Sequence, residues 1–361
     1  MTGQAQTQFR FTLREFLGSL GDLGTLLPLM IGLIAFNGLG AVTTLVLVGA
    51  TYIFAGLYYR LPLPVQPLKA AAIIAIATGA SIGEIRAAAL WMAALMMLLS
   101  ATKLLDKLSE VFPQALIQGM QLGLGLLMLR SGAQFVLGYP HPLSAVVHGT
   151  RHPLLGSSGL LPASAEFWTA LVVLVLPQLP LTLGNSVLAT RDCALRYFGA
   201  EGERVTPGRL AATIGLGNLA AGLFGGMPVC HGAGGMTAHY HTGARSGAAG
   251  IMLGTLLVIF ALIGGNSAAS LISATPAWVL GLLLVYVGIR HGLLARDAFR
   301  RPGTAVTVVA VGVIAFIGSN FLLALLVGAL VKVAAEDIPN RRRQRRVAGR
   351  LAAGPVGNEE L

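Results

Sequence analysis

Pro64-Val65-Gln66-Pro67-Leu68-Lys69-Ala70 interrupts an apolar run, and Pro228-Val229-Cys230-His231-Gly232-Ala233-Gly234-Gly235 interrupts another 164 positions later. A proline suits the first turn of a helix, because the amides there lack intrahelical acceptors in any case. Each stretch therefore predicts a short helix that starts inside an apolar layer rather than at its edge. Amides at such a start are free donors at the positive end of the helix dipole, and glycine lets a ligand come close to the backbone. Two such starts facing each other predict a cradle for an anion, with Lys69 adding a full positive charge.

The surroundings are those of a bilayer protein. Of 361 residues 55% are hydrophobic and only 11% charged, with a mean hydropathy of +0.76, whereas soluble domains carry about a quarter charged residues. Hydropathy predicts twelve spans, at 17–36, 41–59, 65–80, 87–101, 115–129, 167–189, 210–224, 229–242, 248–263, 277–294, 305–317 and 321–333. Little chain is left over, which excludes a sizeable soluble catalytic domain. The two cysteines, Cys193 and Cys230, form neither a disulfide framework nor a CxxC metal site. Met1 is followed by a polar run without a small-residue cleavage motif, so no removable signal peptide is expected.

The chain also resembles itself. Ser19-Leu-Gly-Asp22 is echoed by Thr182-Leu-Gly-Asn185, Ala55-Gly-Leu57 by Ala221-Gly-Leu223, and Pro64-Val65 with Thr78-Gly-Ala80 by Pro228-Val229 with Thr242-Gly-Ala244. The shared order and spacing predict two repeats. The first span's counterpart is the sixth, an odd step of five that reverses its direction across the membrane, so the repeats are inverted, the signature of secondary transporters whose substrate sits near the midplane between broken helices. The expected fold is thus an all-α polytopic membrane protein with about twelve spans, two of them short half-helices. Its divisions are a first repeat at 11–135, an external loop at 136–165, a second repeat at 166–335 and a basic cytoplasmic tail at 336–361.

The net charge of +11 follows from topology. With both termini cytoplasmic, Arg10, Arg14, Arg60, Lys103, Lys107, Arg191, Arg196, Arg204, Arg209, Arg245, Arg290, Arg296, Arg300, Arg301 and the run 341–346 lie inside, leaving Arg86, Arg130 and Arg151 outside. The basic tail reads as a lipid-headgroup anchor, not a nucleic-acid site. Inside the spans, Asp22 and Lys69 stand out, since burying either without purpose is costly. An ion pair between them is the structural alternative to attraction of an anion. Gln66, Gln178, Thr182, Asn185 and Ser186 offer hydrogen bonds to an oxyanion or, as readily, between helices. His231, His239 and His241 suggest a metal, but His231 and His239 would stand about 12 Å apart along a helix, too far to share one ion. No metal or cofactor is expected. Glu15 reads as an exposed interfacial carboxylate, and Gly21, Gly24, Gly184, Gly215 and Gly217 as points of close helix contact.

Together Phe11-x3-Glu15-x2-Gly18-x2-Gly21-Asp22-Leu23-Gly24-Thr25-x2-Pro28, Pro64–Ala70, Gln178-Leu-Pro-Leu-Thr-Leu-Gly-Asn185 and Pro228–Gly235 resemble the motifs of the molybdate transporter family, a branch related to the sulfate permeases. The resemblance implies a sulfate permease/uracil permease-like fold in which core and gate parts move against each other. It places the oxyanion between the half-helix starts Gln66, Pro67, Leu68, Lys69 and Val229, Cys230, His231, Gly232, with Asp22 and Asn185 on the crossing helices beside it; Gln178 and Thr182 join the substrate-binding candidates as polar positions in apolar segments. Related permeases have seven spans per repeat and a cytoplasmic STAS domain. Here the first half has five spans and no STAS domain is expected, which leaves the 136–165 loop or a homodimer partner to complete the gate wall. The expected function is secondary transport of molybdate into the cell across the cytoplasmic (inner) membrane, with a sulfate or broader oxyanion permease as the alternative and a non-transporting scaffold or sensor as a remote one. An enzyme is not expected, because Asp22 has no second intramembrane carboxylate by motif and HExxH is absent. Proton coupling is left open, with Asp22, Glu15 and His231 as its candidates.

Overall fold

The computed structural model describes residues 9–102, 105, 113–138, 161–273, 276–318 and 321–338. Most of the expected 136–165 loop, together with Lys103, Lys107, Arg151 and the basic run 341–346, lies outside these residues. In the first half α1 (Leu13–Asn37) and α2 (Ala41–Tyr59) precede a two-residue strand, β1 (Gln66–Pro67). The short α3 (Lys69–Thr78), α4 (Ile82–Ala101) and α5 (Gln114–Leu137) follow. The second half opens with α6 (Ser164–Arg204), α7 (Pro207–Phe224), β2 (Val229–Cys230) and the short α8 (Ala233–Thr242). It continues through α9 (Ala248–Ser273) and α10 (Ala277–Leu293), then adds α11 (Pro302–Gly318) and α12 (Phe321–Lys332).

Every expected span holds a helix, and the deviations lie at the ends. α4 starts at Ile82 rather than near residue 87, because Ser81 and Glu84 form a capping box: the Ser81 hydroxyl accepts from the Glu84 amide (3.0 Å) and the Glu84 carboxylate from the Ser81 amide (2.8 Å). Hydropathy does not register so polar a first turn. Arg86, expected at the external rim, is instead buried and donates to the carbonyls of Gly222 (2.9 Å) and Leu223 (3.2 Å). Its guanidinium caps the C-terminal end of α7, where carbonyls lack partners and the dipole favours a cation.

The two halves are related by a pseudo-two-fold axis that can be located from residue pairs. β1 and β2 pair antiparallel with Gln66 opposite Cys230, its equivalent 164 positions on. α3 and α8 leave this pairing at Lys69 and Ala233, again 164 apart. Farther along, α5 crosses α10 at Gly125 and Gly288, equivalents 163 apart. A Cβ on Gly125 would meet the Gly288 carbonyl oxygen at 2.7 Å, and one on Gly288 would meet that of Gly125 at 2.8 Å. Residues that contact their own repeat equivalents lie on the axis, so it runs through the strand pair and the α5–α10 crossing.

Packing sorts the helices into two groups. α2 lies against α9 and α4 against α7, while α5 packs on α10 and α11, and α11 on α12. Small residues set these contacts, as in bilayers, where apolar burial supplies little drive between helices. A Cβ on Gly49 would come 2.6 Å from the Gly254 oxygen, and one on Gly132 would come 2.6 Å from that of Gly281. Of the glycines expected at close contacts, Gly21, Gly184, Gly215 and Gly217 would each bring a Cβ within 2.7 Å of a neighbour. Gly24 is the exception: its nearest neighbour, on Tyr286, lies 3.7 Å away, an ordinary contact. Among the described residues, the second group takes one helix from the first half and three from the second.

Replacing Gly288 by Leu should force α5 and α10 apart and destabilise the fold by about 1–3 kcal/mol, the usual cost of overpacking. Gly292→Ala, whose Cβ meets nothing within 4 Å, should leave the midpoint unchanged. Thermal unfolding of the two variants in detergent provides the comparison.

Candidate functional site

A helix that begins within an apolar interior leaves its first-turn amides without intrahelical acceptors, and each needs another partner. The two half-helices meet this need differently. At α3 the Leu68 amide donates to the Pro228 carbonyl (3.0 Å), and those of Ala70 and Ala71 both donate to the Gln178 carboxamide oxygen (2.8 and 3.2 Å). The Gln178 nitrogen in turn donates to the Thr182 hydroxyl (2.9 Å), which fixes its orientation. At α8 the preceding strand is clamped by Asn218, which accepts from the Val229 amide (3.1 Å) and donates to its carbonyl (2.6 Å). The first-turn amides of Ala233, Gly234 and Gly235, however, find no acceptor among the described residues. The expected cradle is thus one-sided: α3 is capped by a glutamine and α8 is open.

A cavity of about 380 Å³ lies at the open end, far above the roughly 10–15 Å³ that admits one water. Lys69, at the first position of α3, lines it together with Ala233, Gly234 and Thr237 of α8. Gln178, Leu181, Asn185 and Ser186 of α6 and Cys230 of β2 form a second side, and Gln121 of α5 with Arg290, His291 and Leu294 a third. The lining includes two cations and no carboxylate. Preorganised amides, a serine hydroxyl and carboxamides around two positive charges suit an anion with several acceptor oxygens.

Asp22 and Asn185, repeat equivalents 163 apart, both sit where their helix departs from α geometry, Asp22 in a 3-10 turn (Leu20–Asp22) and Asn185 in a π-helical stretch (Thr182–Ala189). Such departures often mark functional positions in helices. Asn185 reaches the cavity. Asp22 is buried behind the strand pair, where its Oδ1 accepts from the Gln66 carboxamide and its Oδ2 has no partner. A Cβ on Gly235 would lie 2.7 Å from that Oδ2, so glycine is what admits the carboxylate. Among the described residues the ion pairs within 4 Å are Arg296–Asp297 and Arg300–Asp297. Asp22 and Lys69 therefore do not form the ion pair considered from sequence.

Of the residues expected to bind substrate, Lys69, Gln178, Asn185 and Cys230 line the cavity. Gln66, Pro67, Leu68, Thr182, Val229 and Gly232 do not, because they make the strand pair, the half-helix caps and their supports. His231 is turned away, with Nδ1 at 2.9 Å from the Pro64 carbonyl and Nε2 at 2.8 Å from the Thr213 hydroxyl. Glu15 is not an exposed interfacial carboxylate. It is 3% exposed and accepts from the amides of Arg245 (2.9 Å) and Ser246 (3.2 Å), tying α1 to the turn between α8 and α9. Sequence reasoning missed Gln121, Arg290 and His291. The positive-inside reading sets Arg290 at the inner rim, yet it lies four residues inside the expected span 277–294, and that is the signal the sequence offers.

The profile of the family described as "Molybdate transporter of MFS superfamily" matches residues 14–128 and 170–290. The chain belongs to the molybdate transporter family. Similar curated members are "Molybdate transporter 1" of Arabidopsis thaliana, 27% identical with 90% of this chain and 88% of that protein aligned, and "Molybdate transporter 1" of Chlamydomonas reinhardtii, 27% identical over 89% and 92%. Among solved structures, the transmembrane domain of the cyanobacterial bicarbonate transporter BicA superposes with a TM-score of 0.62 at 15% identity, covering 90% of this chain and 98% of that domain. Murine Slc26a9, an anion transporter captured in an inward-facing state, gives 0.60 at 15% identity, over 92% and 69%. These likenesses confirm the inverted-repeat fold, and the family makes this a multi-pass membrane transporter of anions.

For this transporter, Gln178→Ala should uncap α3 and cost about 0.5–2 kcal/mol, as loss of a helix cap does. Thermal unfolding in detergent against wild type measures that loss.

Proposed function

We propose that the protein is a secondary active transporter that imports a tetrahedral oxyanion, foremost molybdate, across the cytoplasmic membrane. The observation that carries this reading is the cavity where α8 amides without an acceptor among the described residues meet Lys69, with no carboxylate in the lining. Family membership supplies the substrate class, and the cavity's donors suit it. Binding residues on this reading are Lys69, Asn185, Ser186 and the amides of Ala233 and Gly234, while Gln178 positions α3. On this reading the arginine-rich face, and with it the Arg290 end of the cavity, is cytoplasmic, in line with the positive-inside bias. Movement of the α5, α10–α12 group against the rest would then alternate access.

Coupling to protons belongs to the same proposal, with Asp22 as its carrier. Its Oδ2 is buried without a partner, next to the glycine turn that opens α8. A proton taken up there and an anion held at the other face of the same turn would sense each other through the half-helix. Glu15 and His231, whose polar atoms are already engaged, are structural on this reading.

Uptake of labelled molybdate into proteoliposomes tests the function. Lys69→Gln should lower initial uptake by at least about tenfold, the worth of a charge-assisted hydrogen bond. Wild-type uptake that is absent, or unaffected by this substitution, would refute the assignment, and the concentration of unlabelled sulfate needed to compete measures the preference between the two dianions. Coupling has its own test, because an inward proton gradient should stimulate wild-type uptake and leave Asp22→Asn unstimulated.

A further inference from the structure

We propose that Arg290 is the gate-side half of the anion site, and that its pairing with Lys69 across the cavity selects the charge of the anion carried. The inference rests on the oxyanion reading above. Lys69 enters from α3, beside the strand pair, whereas Arg290 enters from the last turn of α10, two residues after the Gly288 crossing with α5. The two cations thus belong to the two different packing groups and meet only at the cavity. Neither has a hydrogen-bonded or ion-paired partner among the described residues, while the neighbouring Arg296 and Arg300 share Asp297. With no carboxylate in the lining, Lys69 and Arg290 are like charges that repel across the boundary between the groups.

A dianion balances both charges, and a tetrahedral one presents oxygens in opposed directions. One side meets Lys69 and the open amides of α8. The other meets the Arg290 guanidinium, whose planar fork binds two oxygens of an oxyanion at once. Bridged in this way, the two groups are drawn together. A monoanion of the same shape leaves one positive charge unbalanced and the repulsion only partly relieved. Valence, rather than size, is therefore what the Lys69–Arg290 pair reads.

Tungstate and perrhenate separate the two properties, being tetrahedral oxyanions of similar size that differ by one charge. Competition of each against labelled molybdate is measured for the full-length protein, in binding to detergent-solubilised transporter and in proteoliposome uptake, at fixed pH. Wild type should prefer tungstate by more than about tenfold, and Arg290→Gln should narrow the preference to within about threefold while lowering molybdate uptake. Arg290→Lys, which keeps the charge, should restore the preference, an outcome that a packing role for the side chain would not produce. Arg290 is exposed and has no ion-pair partner among the described residues, so both variants should fold, with the thermal midpoint as the check. Arg290→Met serves as a second neutral variant should Arg290→Gln unfold. Molybdate binding with the wild-type preference intact in a neutral variant overturns this inference alone. Failure of the wild type to bind molybdate at all overturns the oxyanion reading with it.

Discussion

Backbone amides in hydrocarbon must find acceptors, and two helices that start at mid-membrane create several that have none within their own segment. Much of the centre of this molecule answers that one constraint. Prolines at positions 64, 67 and 228 remove donors outright. β1 and β2 satisfy each other by antiparallel pairing, Gln178 caps α3, and Asn218 holds both polar groups of Val229. What is left open is the first turn of α8, and the cavity forms there. On the proposed reading, an anion in this cavity would meet amides that the described residues leave without a protein acceptor, the arrangement that favours anions at helix starts.

The scaffold is two-fold symmetric in its backbone and asymmetric in its chemistry. Lys69 and Ala233 occupy equivalent first positions of their half-helices, so one carries a charge where the other carries bare amides. Asp22 and Asn185 are likewise equivalent, yet one is buried behind the strands and the other faces the cavity. The two repeats supply matching frames, and different residues at a few matching points divide the work between them. The axis itself is marked by contacts that only small side chains allow, Gly125 against Gly288 above all, which places the α5–α10 crossing opposite the strand pair and closes the cavity between them.

Much of this was legible in the residues. Hydropathy located all twelve helical segments, the repeat offsets identified the inverted halves, and the proline-led motifs marked both half-helices. Of the residues expected at the candidate site, Lys69, Gln178, Asn185 and Cys230 line the cavity. Less visible was the direction in which a polar side chain would be spent. Gln178 and Gln66 look alike in a list of intramembrane polar residues, but one caps α3 and the other binds Asp22. His231 at a half-helix start suggests substrate contact, yet the carbonyl of Pro64 and the hydroxyl of Thr213 claim both its nitrogens. Glu15 sits at the edge of its span in sequence and is sealed over in space by the turn before α9.

Local chemistry written along the chain, namely apolar length, proline and glycine placement, and self-similarity at a fixed offset, determined the membrane setting, the order of helices and the inverted repeat, because each of these depends on residues close together in sequence. Which amides remain unsatisfied, and which charges share a cavity, depends on groups brought together across more than a hundred positions, such as Gln178 with Ala70 and Arg290 with Lys69. Hydrogen-bond capacity is finite and is claimed by whichever partner packing brings within reach. Only the tertiary structure decided that competition, and with it the one-sided site at α8.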